Sequence, residues 1–434
     1  MKRRRGGLAR DDSPAALMAA TIGPRPRRRT SRANASTEVA RPRAVGRGAR
    51  SASSVPTTGD APAAGSGGVF PSLPAPPRPH LDARRARTYP LGKRASKVAA
   101  AAVGRALEPG LSFAEWLARL PDILAAADLR LAADTIARAR LAGRGVAIGL
   151  GAHAIKVGLS PIIVDLMERG VLTSVALNGA GIIHDFELAL AGRTSEDVGP
   201  GLDRGRFGMA RETGAVLNEV IRGAARRGEG LGEALGRHLD TPRFPNRHLS
   251  IVAAGHRLGT PVTVHVAVGT DIIHMHPSAD GAAIGATSLR DFHRLAEVVA
   301  GLSGGAYVNL GSAVVLPEVF VKALNLARNL GHRVRPLFTL DLDFLRHYRP
   351  GVNVVSRPTA TGGRGVHITG HHELLFPVLA GAVLERLALL GAAPDSPSAR
   401  ATARSRSARG SEGQSARGAG SRRTMRGRAG VRPR

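Results

Sequence analysis

VAIGLGAHAIKVGLSPIIVDLMERGVLTSVALNGAGIIHDFELALAG, residues Val146–Gly192, contains two short apolar runs, each followed by a helical pattern. The runs VAIGLG and TSVAL show no alternation of apolar and polar residues, which is typical of strands covered on both faces. Between them, SPIIVDLMERG has Ser160 as a helix cap, Pro161 at the first helical position and Gly170 as a stop signal. The stretch therefore predicts consecutive β-α units of a parallel sheet.

The same rhythm continues towards the C-terminus. PVTVHVAVG precedes TSLRDFHRLAEVVAGL, AYVNLG precedes LPEVFVKALNLARNLG, and RPLFTLDL and VNVVS come before the final helix HELLFPVLAGAVLERLALLG. The predicted fold class is α/β, with a doubly wound, mostly parallel, Rossmann-like sheet of about six strands and an N-terminal helical prelude.

Composition divides the chain into four parts. Residues 1–90 are an Arg/Pro/Ser/Gly-rich arm that we expect to be disordered, and residues 91–143 are a helical prelude with helices over 95–107 and 112–143. Residues 144–392 form the sheet domain, and residues 393–434 are a second Arg/Ser/Gly-rich segment, also expected to be disordered.

The two basic segments hold most of the net charge of +29. Residues 1–60 contain 14 Lys and Arg against 4 Asp and Glu, and residues 394–434 contain 11 Arg against 2 acids. Such arms would bind nucleic acid non-specifically through counterion release. Two alternatives stay open: the arms have no selected role, or the first 60 residues are a targeting segment.

The chain contains no cysteine, which excludes disulfides, thiolate metal ligands and a cysteine nucleophile. We expect no apolar run to approach the roughly 18 residues of a membrane span. We therefore predict a soluble protein without membrane association and place it in the cytoplasm.

The loops after the strands are the candidate ligand site, because ligands of doubly wound sheets bind beyond the carboxyl ends of the strands. The NGAG turn, Asn178–Gly181, allows close approach of a phosphate, although a tight strand-to-helix turn needs small residues in any case. Asp185 is either a functional acid or an ordinary acid near a helix start. The polar residues that could carry catalysis are His184, Asp185, His274, His371 and Lys156.

Two further patterns leave alternatives open. Asp271, His274, His276 and Asp280 lie within ten residues, and histidine and carboxylate are metal ligands, but polar loop histidines or histidines that bind an organic substrate are favoured over a metal site. Asp341 and Asp343 share one face of a predicted strand, where repulsion between two carboxylates requires a cation, a hydrogen-bond donor or a raised pKa.

Three segments in order resemble the deoxyhypusine synthase family: residues 148–190, VNLGSAVVLPEVFVKALNLARN and ITGHHELLFPVLAGAV. That family consists of NAD-dependent homotetrameric enzymes that oxidise spermidine and transfer its aminobutyl group through an imine to a lysine. The resemblance implies NAD as cofactor, an amine or polyamine substrate and a homo-oligomer such as a tetramer. It implies NAD contacts at Ala152, His153, Asn178, Gly179, Ala180, Gly181, Gly311 and Ser312, and substrate contacts at Asp271, His276, Asp341, Asp343 and Glu373.

The chain also departs from the family pattern. The reactive lysine belongs to a Trp-Gly-Lys-Ile stretch, for which this chain has RPTATGGRGVH, without Trp or Lys. The family's Lys-His pair is replaced by Leu316 and Pro317, its aspartate near the last helix by His371, and a glutamate by His184. A covalent enzyme imine has no residue at its usual position, so deoxyhypusine synthesis itself is not expected.

Three functional hypotheses follow. The first is an NAD-binding enzyme that acts on an amine or polyamine by aminobutyl transfer or a related dehydrogenation. The second is a metal-assisted hydrolase or lyase that uses the His/Asp/Glu cluster, and the third is a non-catalytic ligand-binding protein with nucleic-acid-binding arms. All three require the strand-end loops to meet at one edge of the sheet.

Overall fold

The structure, a computed structural model, describes residues 81–391. The predicted arms therefore lie outside the described residues, apart from residues 81–90. The predictions of disorder and of nucleic-acid binding by the arms remain predictions.

A six-stranded sheet in which every pair of neighbours is parallel forms the centre of the protein, which confirms the α/β fold class. The strand order is β3-β2-β1-β4-β5-β6, the arrangement of a doubly wound sheet. The strands are β1 Val146–Leu150, β2 Ser174–Asn178, β3 Val262–His265, β4 Ala306–Leu310, β5 Leu337–Asp343 and β6 Gly363–Thr369.

Helices cover both faces of the sheet. Before β1 lie α1 (Phe113–Arg119) and α2 (Leu124–Leu141), and between β1 and β3 lie α3 (Ala152–Lys156), α4 (Ser160–Glu168), α5 (Gly179–Ala191), α6 (Val198–Leu202), α7 (Arg211–Arg227), α8 (Leu231–Leu239) and α9 (Ile251–Leu258). After β3 come α10 (Gly281–Ala300), α11 (Val315–Asn329) and α12 (His372–Gly391). Strands β1 to β5 are buried on both faces almost throughout, because helices pack on each side.

The last strand differs from the sequence prediction. VNVVS, predicted as a strand, lies in a π-helical turn, Gly351–Ser356, and the sixth strand is instead the glycine-rich Gly363–Thr369. The glycines permit tight packing: a Cβ on Gly363 would lie 2.0 Å from the Leu337 carbonyl oxygen, and one on Gly365 would lie 2.0 Å from that of Val355. A prediction from apolar content alone therefore placed the sixth strand at VNVVS instead of at Gly363–Thr369.

The prelude also differs from its prediction. Residues 95–107 contain only a 3₁₀ turn, Ala100–Ala102, rather than a helix. The next helix begins at Ser112, whose side chain forms a capping box with Glu115, and the sequence Leu120-Pro121 separates α1 from α2. Between β2 and β3, helices α6 to α9 were not predicted.

Helix α12 corrects the statement that no segment is long enough to span a membrane. Its 20 residues reach a mean hydropathy of 1.8 over an 18-residue window, which satisfies the length and composition of a span. Core helices of soluble proteins satisfy the same criterion. Here α12 packs against α2, buries Phe376, Leu379 and Val383, and Arg386 forms an ion pair with Asp134 at 2.6 Å.

A buried carboxylate ties helix α10 to the start of α8 and to β3. Asp291 is 2 % exposed, and one of its oxygens accepts hydrogen bonds from the Gly232 and Val264 amides, both at 2.9 Å. Burial raises the pKa of Asp291 to about 7 even though these amides favour the charged form.

We expect this carboxylate to make stability depend on pH. Folded Asp291 keeps its proton up to about pH 7, whereas an unfolded Asp releases it near pH 4. Its contribution is therefore fully present below about pH 4 and is lost as pH rises through about 7, by on the order of 4 kcal/mol. Urea unfolding across this range should give a flatter profile for Asp291→Asn than for wild type; parallel profiles would contradict the assignment.

Candidate functional site

The predicted loops all follow carboxyl ends of parallel strands and therefore lie along one edge of the sheet. Strands β1 and β4 are neighbours at the centre of this edge, and the strand order reverses between them. In doubly wound sheets this switch point opens a crevice for ligands. The polar residues of the edge form two clusters, one on each side of β1.

The first cluster, which we name the histidine cluster, consists of His153, His372 and Asp343. His153 lies on α3, which follows β1; Asp343 ends β5; and His372 begins α12, which follows β6. The two histidine Nδ1 atoms are 2.9 Å apart, and His372 Nε2 lies 3.6 Å from Asp343 Oδ1. Three loops therefore bring these side chains into contact.

The histidine cluster corrects the choice between the two adjacent histidines. The predicted His371 has a 70 % exposed side chain and lies 3.8 Å from the 44 % exposed Glu373, whereas the side chain of His372 is 1 % exposed. Residue 372 is the first residue of α12 and faces inward, so the buried imidazole is that of His372. Sequence periodicity could not decide this because both residues lie at the helix boundary.

Asp341 was predicted as a substrate ligand, but its side chain is completely buried. It has no exposed surface, and it accepts hydrogen bonds from Asn309 Nδ2 at 2.8 Å and from His367 Nδ1 at 2.6 Å. Strand register places these three residues in one row across β4, β5 and β6. The two carboxylates of β5 thus have separate partners within the protein, and that of Asp341 has no exposed surface to offer a substrate, contrary to its predicted role.

The second cluster, which we name the Asp271 cluster, lies at the ends of β2 and β3. The Asp271 carboxylate approaches the first residue of α5 so closely that a Cβ on Gly179 would lie 1.9 Å from Oδ2. His274 Nε2 lies 3.8 Å from Asp271 Oδ2; both side chains are more than nine-tenths buried, and neither of these two atoms has a hydrogen-bond partner in the described part of the chain. Burial raises the pKa of Asp271 to about 6, although the Thr270 hydroxyl lowers it.

The Asp271 cluster changes the interpretation of the NGAG turn. The turn is the first turn of α5 itself, with Asn178 as its cap: Asn178 Oδ1 accepts the Gly181 amide at 2.9 Å. The carboxylate of Asp271 occupies the position next to Gly179 where we expected a phosphate. A phosphate there would be repelled by that carboxylate whenever it is charged.

Asp185 lies in the second turn of α5 and not at a strand end. Its fully buried carboxylate accepts hydrogen bonds from the Ser250 hydroxyl and from the Ile251 amide at 2.7 Å, so it supports the start of α9. Burial raises its pKa to about 6, while these donors lower it. Asp185 is therefore a structural residue rather than a catalytic one.

Three other predicted residues are scattered. His184 is half-buried and its Nδ1 lies 2.7 Å from the Thr194 hydroxyl. His276 packs against Gly214 of α7, away from the histidine cluster. Lys156 is exposed at the end of α3, where its charge lowers the pKa of both His153 and His184, in each case after the larger effect of burial.

The remaining predicted cofactor residues surround the switch point. Ala152 begins α3, and Ala180 lies in the first turn of α5. Gly311 follows β4 with a positive φ of 65°, and the buried Ser312 accepts the Leu316 amide at 3.1 Å through its hydroxyl, at the start of α11. Their backbone groups line the centre of the edge.

The turn after β1 carries a further sequence signal. Gly149-Leu150-Gly151-Ala152-His153-Ala154 has the G-x-G-x-x-A spacing of a dinucleotide-binding turn, and it joins the first strand to a helix as that spacing requires. In the structure the glycines serve packing: a Cβ on Gly149 would lie 2.3 Å from the Tyr307 hydroxyl, and one on Gly151 would lie 2.0 Å from the Gly311 carbonyl oxygen.

The edge is rich in polar atoms without partners. Of the buried side-chain atoms that lack a hydrogen bond in the described residues, four lie here: Asp271 Oδ2, His274 Nε2, Asn309 Oδ1 and His372 Nε2. Buried polar atoms are normally paired, so each exception requires an explanation, and at the carboxyl ends of the strands a bound ligand is one. Within residues 81–391, no group of three or more metal-ligating side chains has the geometry to hold a metal ion.

The structural role of Asp185 can be tested by truncation. Asp185→Ala leaves the Ser250 hydroxyl and the Ile251 amide without their acceptor, and we expect a loss of about 2–4 kcal/mol in the free energy of unfolding. The control Asp165→Ala, which removes a half-exposed ion pair with Arg169, should lose less than about 1 kcal/mol. Equal losses in urea unfolding would contradict this role.

Comparison with protein-family profiles gave no match, and neither did comparison with curated protein sequences. Among solved structures, the chain is similar to the cyanobacterial arginine dihydrolase ArgZ (15 % identity, 61 % of this chain and 33 % of that chain, TM-score 0.38). It is also similar to AgrE solved with ornithine and NAD+ (14 %, 60 % and 33 %, TM-score 0.41). A third is a protein assigned as a deoxyhypusine synthase from Entamoeba histolytica (12 %, 65 % and 96 %, TM-score 0.40). The chain spans about a third of the length of ArgZ and AgrE, and these similarities are distant.

Proposed function

We propose that the protein is an NAD-binding enzyme that acts on a small amine or polyamine. The observation that carries this proposal is the position of the two polar clusters on opposite sides of the switch point. The Asp271 cluster lies at the ends of β2 and β3, and the histidine cluster at the ends of β1, β5 and β6. Strand β2 is three strand spacings from β5, or roughly 14 Å. A ligand that contacts both clusters must be elongated, as a dinucleotide is.

The Asp271 cluster could bind a ribose of the dinucleotide. In doubly wound folds an acidic residue at the end of the second strand accepts the ribose hydroxyls. This chain has Asn178 at that position, and Asp271 brings a carboxylate to it from the neighbouring loop. The unpaired Asp271 Oδ2 supplies an acceptor for such a hydroxyl.

The centre of the edge fits the phosphates less closely. Gly151 faces the Gly311 carbonyl, so a pyrophosphate would approach the amides at the start of α3 rather than the Gly151 α-carbon. The exposed Lys156 at the end of α3 adds a positive charge near this position. These features support NAD binding through the turn after β1 and not through the start of α5.

The histidine cluster would face the reacting end of the ligand. Bound NAD would supply an acceptor for a hydride from the carbon next to the amine nitrogen. The exposed carboxylate of Glu373 attracts the ammonium group of an amine, and His153 can hold the proton that the substrate nitrogen releases. The buried Asp343 keeps a negative charge behind the histidines.

The lysine content favours dehydrogenation over aminobutyl transfer through an enzyme imine. The interval 357–367 before the last helix contains no lysine, and Lys322 is paired with Glu318 on α11. Lys156 is the lysine that lies at the strand-end edge. A transfer reaction would therefore need to pass the aminobutyl group directly to a free amine. Homo-oligomerisation and a cytoplasmic location stay predictions.

The metal-assisted and non-catalytic alternatives gain no specific support from the described residues. The histidines and carboxylates of DIIHMHPSAD diverge, since His276 packs on α7 while His274 turns towards Asp271. The nucleic-acid-binding arms lie outside the described residues.

The proposal predicts NAD binding that depends on Asp271. NAD+ should raise the melting temperature of the wild-type chain, and Asp271→Asn should weaken binding about tenfold because a charged hydrogen bond to the ribose is lost. NADP+ should bind less tightly than NAD+ to wild type, since its phosphate meets the Asp271 carboxylate, and the variant should reduce this preference.

The control is Asp122→Asn, a 74 % exposed carboxylate in the connection between α1 and α2. It should bind NAD+ as wild type does. Absence of any NAD+ or NADH binding at millimolar concentration, by thermal shift and calorimetry, would overturn the proposed cofactor.

A further inference from the structure

The contact between His153 and His372 constrains where protons reside. Their Nδ1 atoms are 2.9 Å apart, which is a hydrogen-bond distance. Two nitrogen lone pairs or two N–H groups facing each other at this distance would repel. One proton must therefore lie between the rings, so the tautomer of one histidine determines that of the other.

The other nitrogen of His372 faces a carboxylate. His372 Nε2 lies 3.6 Å from Asp343 Oδ1, and the two side chains are 1 % and 3 % exposed. Oδ1 also accepts the Phe344 amide at 2.8 Å, which fixes the carboxylate. When His372 is neutral, the favourable arrangement directs Nε2–H towards Asp343, so His372 Nδ1 accepts the Nδ1–H of His153. The Nε2 of His153 then carries a free lone pair.

Packing holds this arrangement in place. A Cβ on Gly311 would lie 2.5 Å from His372 Cε1, so the ring rests directly on that glycine. The Phe344 ring lies 5.5 Å from the His372 ring and 5.8 Å from the His153 ring, measured between centroids. The imidazole of His372 therefore cannot rotate freely, and only protons can change position.

We propose that Asp343, His372 and His153 form a proton relay in which His153 is the terminal acceptor and the positive charge is stored on the buried His372. A substrate N–H bond breaks, its electron pair stays with the substrate, and the proton forms a new bond to His153 Nε2. The Nδ1 proton of His153 then passes to His372 Nδ1. His153 ends as the neutral Nε2–H tautomer, and His372 ends as an imidazolium beside Asp343. The reverse shift returns the proton.

The charged groups around the relay agree with this direction. Burial lowers the pKa of His153, and the neighbouring His372 and Lys156 lower it further, while Glu373 and Asp343 act in the opposite sense. Burial alone would raise the pKa of Asp343, but the His372 imidazole and the amides of Phe344 and Leu345 bring it below its ordinary value. A neutral His153 beside a charged Asp343 is the state that is ready to accept a proton.

The relay rests on the proposed function only for the identity of the substrate that supplies the proton. Its properties can be measured in the chain alone. In proton-detected ¹⁵N spectra of histidine side chains, we expect His153 and His372 to change together as pH is lowered, with a downfield proton resonance for the shared Nδ1–H. His372→Gln should abolish this resonance and leave His153 titrating by itself.

Asp343→Asn provides the readout that a purely structural role would not give. Removal of the negative charge behind His372 should lower the proton affinity of His153 about tenfold. Asp343 would act on His153 through His372, so a residue with a purely structural role would not cause this change. The control His332→Gln removes an exposed histidine after α11 and should leave the coupled titration unchanged. Thermal melts of all variants confirm that each is folded, and the wild-type titration alone decides the question if a variant unfolds.

Independent titration of His153 and His372 in wild type, with no shared proton resonance, would overturn the relay. An unchanged proton affinity of His153 in folded Asp343→Asn would overturn it as well. Failure of wild type to bind NAD+ would contradict the proposed cofactor and would leave these titrations unaffected, so the two proposals can fail separately.

Discussion

The close approach of Gly151 to the Gly311 carbonyl oxygen is the constraint on which the rest of the edge depends. Any Cβ at residue 151 would lie 2.0 Å from that oxygen, and the Gly151 amide donates to the Leu310 carbonyl at 2.9 Å. This contact joins the ends of the two central strands. It sets where α3 begins and thereby places His153, while Gly311 supports the ring of His372. A larger residue at either glycine would separate the two histidines as well as the strands.

Some of the buried polar groups at this edge have hydrogen-bond partners within the protein and others have none. In the row formed by Asn309, Asp341 and His367, both carboxylate oxygens of Asp341 have partners, and the row lies one residue pair below the strand ends. Above it, His372 Nε2 and the Asp271–His274 pair remain without close partners. Unpaired buried groups cost about 1–3 kcal/mol each, so a fold retains several at one edge only where something other than stability is served. The two hydrogen bonds of Asp341 hold the lower row together, although Asn309 Oδ1 in that row also lacks a partner.

The sequence predicted what depends on local pattern and missed what depends on contacts between distant residues. Runs such as VAIGLG and AYVNLG identified strands because burial on both faces removes alternation. The strand Gly363–Thr369 could not be predicted from local pattern, because its glycines are required by close contacts with Leu337 and Val355, which lie elsewhere in the chain. The position of the candidate site at one edge of the sheet could be predicted from the order of strands and helices. Which of His371 and His372 is buried, and that Asp185 bonds to Ser250, depend on the direction in which each side chain points, and this could not be predicted. The G-x-G-x-x-A spacing of residues 149–154, by contrast, is a local pattern that by itself indicates a dinucleotide-binding turn after the first strand.

The chemistry of the edge follows from which charges the fold can keep buried. A reactive lysine requires a site that stabilises its neutral form and then a cationic imine. This chain has no lysine in the interval 357–367 before its last helix, and a histidine pair backed by Asp343 lies at the neighbouring strand ends. Imidazole exchanges a proton near neutral pH without forming a covalent bond to the substrate. A buried aspartate stabilises a protonated histidine beside it, because an isolated positive charge would be unfavourable in a region without water. In the proposed relay the positive charge would therefore reside on His372 of the protein itself and not on a covalent lysine adduct.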